Sequence, residues 1–407
     1  MFQIDIHKLA QQFIYNPEEP LLFNSGFFLF LFTAFVWLYV SMSATHRPKM
    51  IYVILFSLYF YYKSSGEYFV LLLFATVIDF TLAHLIYRTQ EHWQKKIFIV
   101  ITLVINLGML GYFKYTNFLV ESFYFFSGEA FQPMDIFLPV GVSFFTFQSL
   151  SYTLDVYRGT LKPVNNIIDY AFFVSFFPQL VAGPIVRASD FLPQIYKPTY
   201  VTPQMFGRGI FLIGCGLFKK AVISDYISIN FVDRVFDAPT LYSGLENLFA
   251  IYGYALQIYC DFSGYSDMAI GIALLLGFRF PINFDSPYQS RNITEFWRRW
   301  HISLSTWLRD YLYISLGGNR KGKNRTYINQ MLTMLLGGLW HGASWRFIIW
   351  GALHGAALAF HKIYREWQDE YGSFPVGKAA TRANIFLTFH FVCFCWIFFR
   401  APSLESV

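Results

Sequence analysis

Apolar runs long enough to cross a bilayer recur along nearly the whole of this 407-residue chain, and that repetition dictates what it can fold into. The candidate segments are 21–42, 50–63, 67–87, 97–119, 136–157, 167–183, 205–225, 243–260, 264–279, 328–341, 345–363 and 384–399. Some are short and some are interrupted by Pro or Gly, so roughly ten to twelve membrane segments are expected, a few of them re-entrant. The expected class is an all-α, polytopic integral membrane protein.

Charge supports this. Only 14% of residues are charged, against roughly a quarter in soluble domains. Aromatics reach 21%, and Tyr and Trp at the lipid–water boundary account for part of that excess. The net charge of +6 reads as Lys and Arg in cytoplasmic loops, and no basic arm or recognition motif points to nucleic acid. His46-Arg47-Pro48-Lys49 and the run from Arg88 to Lys96 are basic, whereas Ser64-Ser65-Gly66-Glu67 between them is not. The positive-inside bias therefore places the N-terminus outside the cytoplasm. Residues 1–20 have no basic start or small-residue cleavage site and read as an amphipathic segment ahead of the first span. Residues 1–407 are expected to form one integral unit, which closes on Arg400-Ala-Pro-Ser-Leu-Glu-Ser-Val as either a compact form or a chain ending early. Cys215, Cys260, Cys393 and Cys395 lie in or at the ends of apolar runs without ligand spacing, so inert thiols and no metal site are expected.

The chemistry concentrates between Asn283 and Gly355. His301 and His341 flank a basic turn, Arg320-Lys321-Gly322-Lys323-Asn324-Arg325. His341 follows Arg325 by sixteen residues, or about 24 Å of helix, which places it deep in a core of ~30 Å. A titratable group there is costly and is by default a functional candidate. Gly337, Gly338 and Gly342 clear space beside it. A neutral imidazole in an apolar site suits general-base work on a hydroxyl. The competing reading is a core histidine hydrogen-bonded between helices.

Thr294–Tyr313 carries five charges and Trp297, Trp300 and Trp307, too polar for a lipid-facing span. It reads as a helix lying flat at the cytoplasmic boundary, with Trp297, His301 and Ser305 on one face. On that view His301 guards a donor entrance. A hairpin of two full helices about Lys321 would instead bring His301 and His341 level. His354 is about 220° round a continuous helix from His341, so it reads with His361 and His390 as packing. Gln257–Asp267 reads as a polar break between two apolar helices, with Asp261 and Asp267 either coordinating a cation or pairing with Arg279, Arg298 or Arg299. Phe177–Pro184 and Leu138–Gln148 read as further broken segments. Nucleotide loops, the G-x-S-x-G elbow and H-E-x-x-H are absent.

Asn283–Tyr288 (NFDSPY), Thr294–Asp310 (TEFWRRWHISLSTWLRD), Leu335–Gly342 (LLGGLWHG), Asp261–Gly271 and Phe177–Arg187 resemble the membrane-bound O-acyltransferase superfamily, nearest its branch of alginate O-acetylation proteins and peptidoglycan O-acetyltransferases. D-alanyl transfer proteins of teichoic acid synthesis are more distant relatives. The resemblance runs from about Leu22 to Pro402. It implies about eleven transmembrane helices, with re-entrant or interfacial ones, around a central funnel in a bacterial plasma membrane. It further implies His341 as the catalytic histidine and His301 as a second functional position. Members of the acetylating branch carry further spans beyond the position of Arg400.

The expected function is transfer of an acyl group, most simply acetyl, from a cytoplasmic thioester to a hydroxyl of an extracytoplasmic polysaccharide. The donor would be acetyl-coenzyme A or an acyl-carrier thioester, used as co-substrate with no bound cofactor. A periplasmic or membrane-anchored acetyltransferase is the expected protein partner. Trp297, Trp300, Ser305, Asp310 and Trp340 are the expected substrate-binding residues. The rivals are a transporter built on Asp261 and Asp267, a D-alanyl transferase, and a non-catalytic scaffold.

Overall fold

The structure, a computed structural model, describes residues 10–42, 46–128, 131–181, 183–197, 200–372, 377–404 and 406. The first nine residues of the expected amphipathic segment lie outside these. Among the described residues every regular element is a helix. Three helical runs, Arg47–Arg88, His92–Phe125 and Lys378–Arg400, are long and apolar enough to cross a membrane, and Gly26–Ser41 is a shorter apolar helix.

The chain forms two compact units. The first comprises Met1–Cys215 and Asp267–Phe280, the second Gly216–Ser266 and Pro281–Val407. In the first unit the helices are α1 (Gly26–Ser41), α2 (His46–Ser65), α3 (Phe69–Arg88), α4 (His92–Leu110), α5 (Thr116–Ser127), α6 (Val142–Tyr157), α7 (Ile167–Ser175), α8 (Ala188–Ile195) and α9 (Pro203–Leu217). A π-helical turn, Gly111–Tyr115, joins α4 to α5. Phe177 is the hub of this unit's core: Phe56, Phe60 and Phe35 stand 5.0, 5.7 and 5.8 Å from its ring. The expected break at Phe177–Pro184 is present. The helix ends at Ser175 and a single helical turn, Phe177–Leu180, follows, with Pro178 at its first turn. Residues 136–141, expected inside a span, are not helical. Gly141 has φ +80°, and a Cβ there would lie 2.1 Å from the Leu180 carbonyl oxygen, so the helix begins only at Val142.

The two apolar segments expected either side of Gln257–Asp267 are one helix, α10 (Gly244–Leu275). No break exists there, because the polar side chains are accommodated sideways. Asp261 pairs with Lys220 at 2.7 Å rather than with the arginines expected. Gly264 lets the backbone of Gly216 and Lys220 approach to within 2.8 and 3.2 Å of where its Cβ would stand.

The second unit continues with α11 (Ile293–Arg299), α12 (Ile302–Trp307), α13 (Lys323–His341), α14 (Trp345–Tyr371) and α15 (Lys378–Arg400). Its core is aromatic and aliphatic, built on Phe296, Trp300, Trp350, Trp396, Tyr254 and Val392. Helices α13 and α14 form a hairpin packed backbone to backbone. A Cβ on Gly338 would fall 2.1 Å from the Phe347 carbonyl oxygen, and one on Gly351 would fall 2.3 Å from that of Met334. Only glycine permits this approach. Cys260, Cys393 and Cys395 are buried free thiols and Cys215 is half-buried.

Candidate active site

The helix expected to run flat through Thr294–Tyr313 is broken in the middle. α11 starts on an Asn292 cap that accepts from the Glu295 amide at 2.8 Å. It ends at Arg299, where Trp300 turns extended and His301 adopts φ +42°, ψ 55° before α12 begins. A left-handed conformation is uncommon for a residue other than glycine and persists only when its surroundings hold it. The surroundings here are Asn283–Asp285. The Ile302 amide donates to the Asn283 carbonyl and the Asp285 amide to that of Arg299, each at 3.0 Å, so the two strands of chain clasp His301 from both sides. The Asn283 side chain accepts from the Ser303 hydroxyl at 2.8 Å and its amide at 3.2 Å, and donates to Ser266 at 3.2 Å. Asn283, itself buried, is the residue that fixes the break. The break in turn removes Trp297, His301 and Ser305 from a common helical face.

His301 is 1% exposed, and neither ring nitrogen has a hydrogen-bond partner among the described residues. Phe262 stands edge-on at 4.5 Å. His341, the last residue of α13, is half-buried, and its ring centroid lies 6.3 Å from that of His301. The two imidazoles therefore share one site. The separation expected from a flat helix is absent because the chain reverses at Trp300 and carries His301 back toward the hairpin. Trp340, Trp350 and Phe399 wall His341 at 5.0, 5.3 and 5.2 Å.

His354 also belongs to this surround. The expectation that it faces away from His341 assumed a continuous helix, but α13 ends at His341 and α14 starts afresh at Trp345. Its ring is 4.7 Å from Trp350, on which His341 also packs. Its Nδ1 accepts from the Trp297 indole at 3.2 Å, while Nε2 is buried without a partner. His361 bonds to the Thr294 hydroxyl at 2.8 Å and His390 to the Tyr252 hydroxyl at 2.8 Å, as packing residues would.

Of the five residues expected to bind substrate, only Trp340 packs against both histidines, 6.1 Å from His301. Trp297 holds His354. Trp300 is 3% exposed inside the aromatic core, between Phe284 at 5.0 Å and Trp396 at 5.1 Å. Ser305 donates back to the Trp300 carbonyl at 3.2 Å, and Asp310 pairs with its neighbour Arg309 at 2.6 Å. Residue type and spacing did not assign Asn283, Phe262 or Phe399 to the site, although Asn283 opens the NFDSPY stretch and Phe262 lies within Asp261–Gly271, both of which carry the family resemblance.

Fold and site together define an integral membrane protein with a paired-histidine centre. Residues 22–401 match the membrane-bound O-acyltransferase family, and the chain belongs to that family. Similar proteins include a peptidoglycan O-acetyltransferase of Helicobacter pylori, 39% identical over 95% of this chain and 78% of the relative. A probable alginate O-acetylase AlgI of Pseudomonas aeruginosa is 42% identical over 95% of this chain and 73% of that protein. A teichoic acid D-alanyltransferase of Bacillus subtilis is 31% identical over 67% of this chain and 71% of its own length. The protein is a membrane O-acyltransferase, an enzyme.

Proposed function

We propose that this enzyme acetylates a hydroxyl group of a bacterial envelope polysaccharide, with His341 as the general base. The observation that carries this reading is the pairing of a half-buried His341 with a fully buried His301 at 6.3 Å, inside walls of tryptophan and phenylalanine. His341 is the reachable member of the pair. It takes the proton of the acceptor hydroxyl as that oxygen attacks the thioester carbonyl. The new C–O bond forms, the C–S bond breaks, and the leaving thiolate recovers a proton from the imidazolium. General-base help of this kind contributes ~10²–10⁴-fold. His301, with its ring nitrogens unpartnered, is poised to donate a hydrogen bond to the carbonyl oxygen as charge builds there.

The basic turn 320–325 favours a cytoplasmic donor, acetyl-coenzyme A or an acyl-carrier thioester, and an N-terminus outside. The acceptor, or a periplasmic or membrane-anchored acetyltransferase that relays the group, approaches from the other side of a plasma membrane. Acetyl is favoured over D-alanyl because the relatives named for acetylation match 95% of the chain at 39–42% identity, whereas the D-alanyltransferase matches 67% at 31%. The test is mass spectrometry of envelope polymers from cells with and without the gene. Loss of O-acetyl groups with D-alanyl esters intact supports the reading; unchanged acetylation contradicts it.

A further inference from the structure

Helices α14 and α15 leave between them a groove of about 950 Å³ within the second unit. One face of α14, read at helical spacing from Leu353 to Gln368, forms one wall, and one face of α15 from Thr381 to Phe391 forms the other. The fifteen steps from Leu353 to Gln368 along α14 give a trough ~22 Å long. Its lining is graded. Leu353, Ala357, Leu387 and Phe391 are apolar, whereas Arg365, Gln368, Thr381 and Asn384 crowd the opposite end. Arg291 reaches the lining from the loop before α11.

Positive charge collects at the polar end. Arg365 makes no ion pair or hydrogen bond among the described residues, and it and Arg298 lie close enough to act electrostatically on the His361 ring. Arg291 spends its Nε on Glu295 at 3.0 Å, and its side chain is otherwise 60% exposed. On the apolar stretch Phe360 is 72% and Leu387 64% exposed. In an integral membrane protein such side chains meet lipid tails. A soluble anion has no use for an apolar trough flanked by exposed Phe360 and Leu387, whereas a molecule with a phosphate at one end and a hydrocarbon chain at the other matches both halves.

We propose that this groove is a binding site for an anionic phospholipid, with its phosphate against Arg365 and Arg291 and an acyl chain along Leu353, Ala357, Leu387 and Phe391. The site is separate from the paired histidines and does not depend on the acyl-transfer reading. The experiment is native mass spectrometry of the full chain in detergent, titrated with phosphatidylglycerol or phosphatidylcholine of the same chains. The wild type is expected to retain one phosphatidylglycerol at least tenfold more tightly than phosphatidylcholine. Arg365→Gln with Arg291→Gln is expected to abolish that preference, Arg365→Lys to keep part of it, and the exposed Arg88→Gln, which is not among the groove's lining residues, to leave it unchanged. Circular dichroism and gel filtration establish that each variant is folded. Equal retention of the two lipids by the wild type, or an undiminished preference in the double glutamine variant, overturns the proposal. So does displacement of bound lipid by coenzyme A or inorganic phosphate, which would assign the groove to a soluble anion. A groove that takes neither lipid overturns it equally and leaves a protein segment as its occupant.

Discussion

His301 is held in a left-handed conformation that an isolated chain would abandon, and Asn283 is what holds it. Replacing Asn283 with Ala leaves the buried Ser303 amide and hydroxyl without their acceptor. A buried group left unsatisfied costs about 1–3 kcal/mol, so Asn283→Ala is expected to lower thermal stability in detergent by an amount of that order. Acyl transfer should fall further than the stability loss explains, because the clasp around His301 loosens. Asn283→Asp retains an acceptor for Ser303 and is expected to recover much of the stability. Measuring melting temperature and turnover on the same preparations checks both. Wild-type stability in the Ala variant would show that the backbone bonds from Ile302 and Asp285 suffice. These residue-scale features were only partly legible in the sequence. His341 stood out because an imidazole sixteen residues from a basic turn, beside three glycines, has few bland explanations. Asn283 and Phe262 did not, since their roles depend on a chain reversal at Trp300 that helical periodicity cannot reveal.

At the scale of elements, the hairpin of α13 and α14 sets where His341 ends up. Gly338 faces the Phe347 carbonyl and Gly351 the Met334 carbonyl at distances that exclude any side chain. Gly338→Leu forces the helices apart or off their axes. Overpacking typically costs about 1–3 kcal/mol and occasionally more, and a shift of 1 Å at reacting groups is expected to lower turnover about 10²-fold. Gly322→Ala, with open space around the added methyl group, is the contrasting control for packing, although its φ of +84° adds backbone strain. Turnover of both variants, normalised to folded protein, tests this. A close approach at Gly338 was anticipated from the glycines beside His341, whereas the part of Gly351 and the continuity of α10 were not. Gln257–Asp267 is polar enough to read as a break, but lateral partners such as Lys220 satisfy Asp261 without unwinding the backbone. Partners from distant sequence are invisible to local reasoning.

At the scale of the whole molecule, the apolar pattern of the sequence was enough for an all-helical membrane protein, because every backbone group in lipid must be satisfied within its own helix. The orientation is a separate prediction. A cysteine placed in the basic turn, Lys321→Cys, should react with a membrane-impermeant maleimide only in inverted vesicles. Cys260, Cys393 and Cys395 are buried and give little background, and the half-buried Cys215 is replaced by Ser in the same variant. Labelling from intact cells would reverse the assignment of the donor and acceptor sides.

Proton transfer from the acceptor to His341 is open to one decisive assay. Reconstituted His341→Ala is given a labelled acetyl thioester and acceptor, alongside wild type of equal folded content. Acetyl transfer is expected to fall at least ~10²-fold, the range for loss of a general base, with melting temperature nearly unchanged. Transfer at the wild-type rate by the folded variant would contradict it.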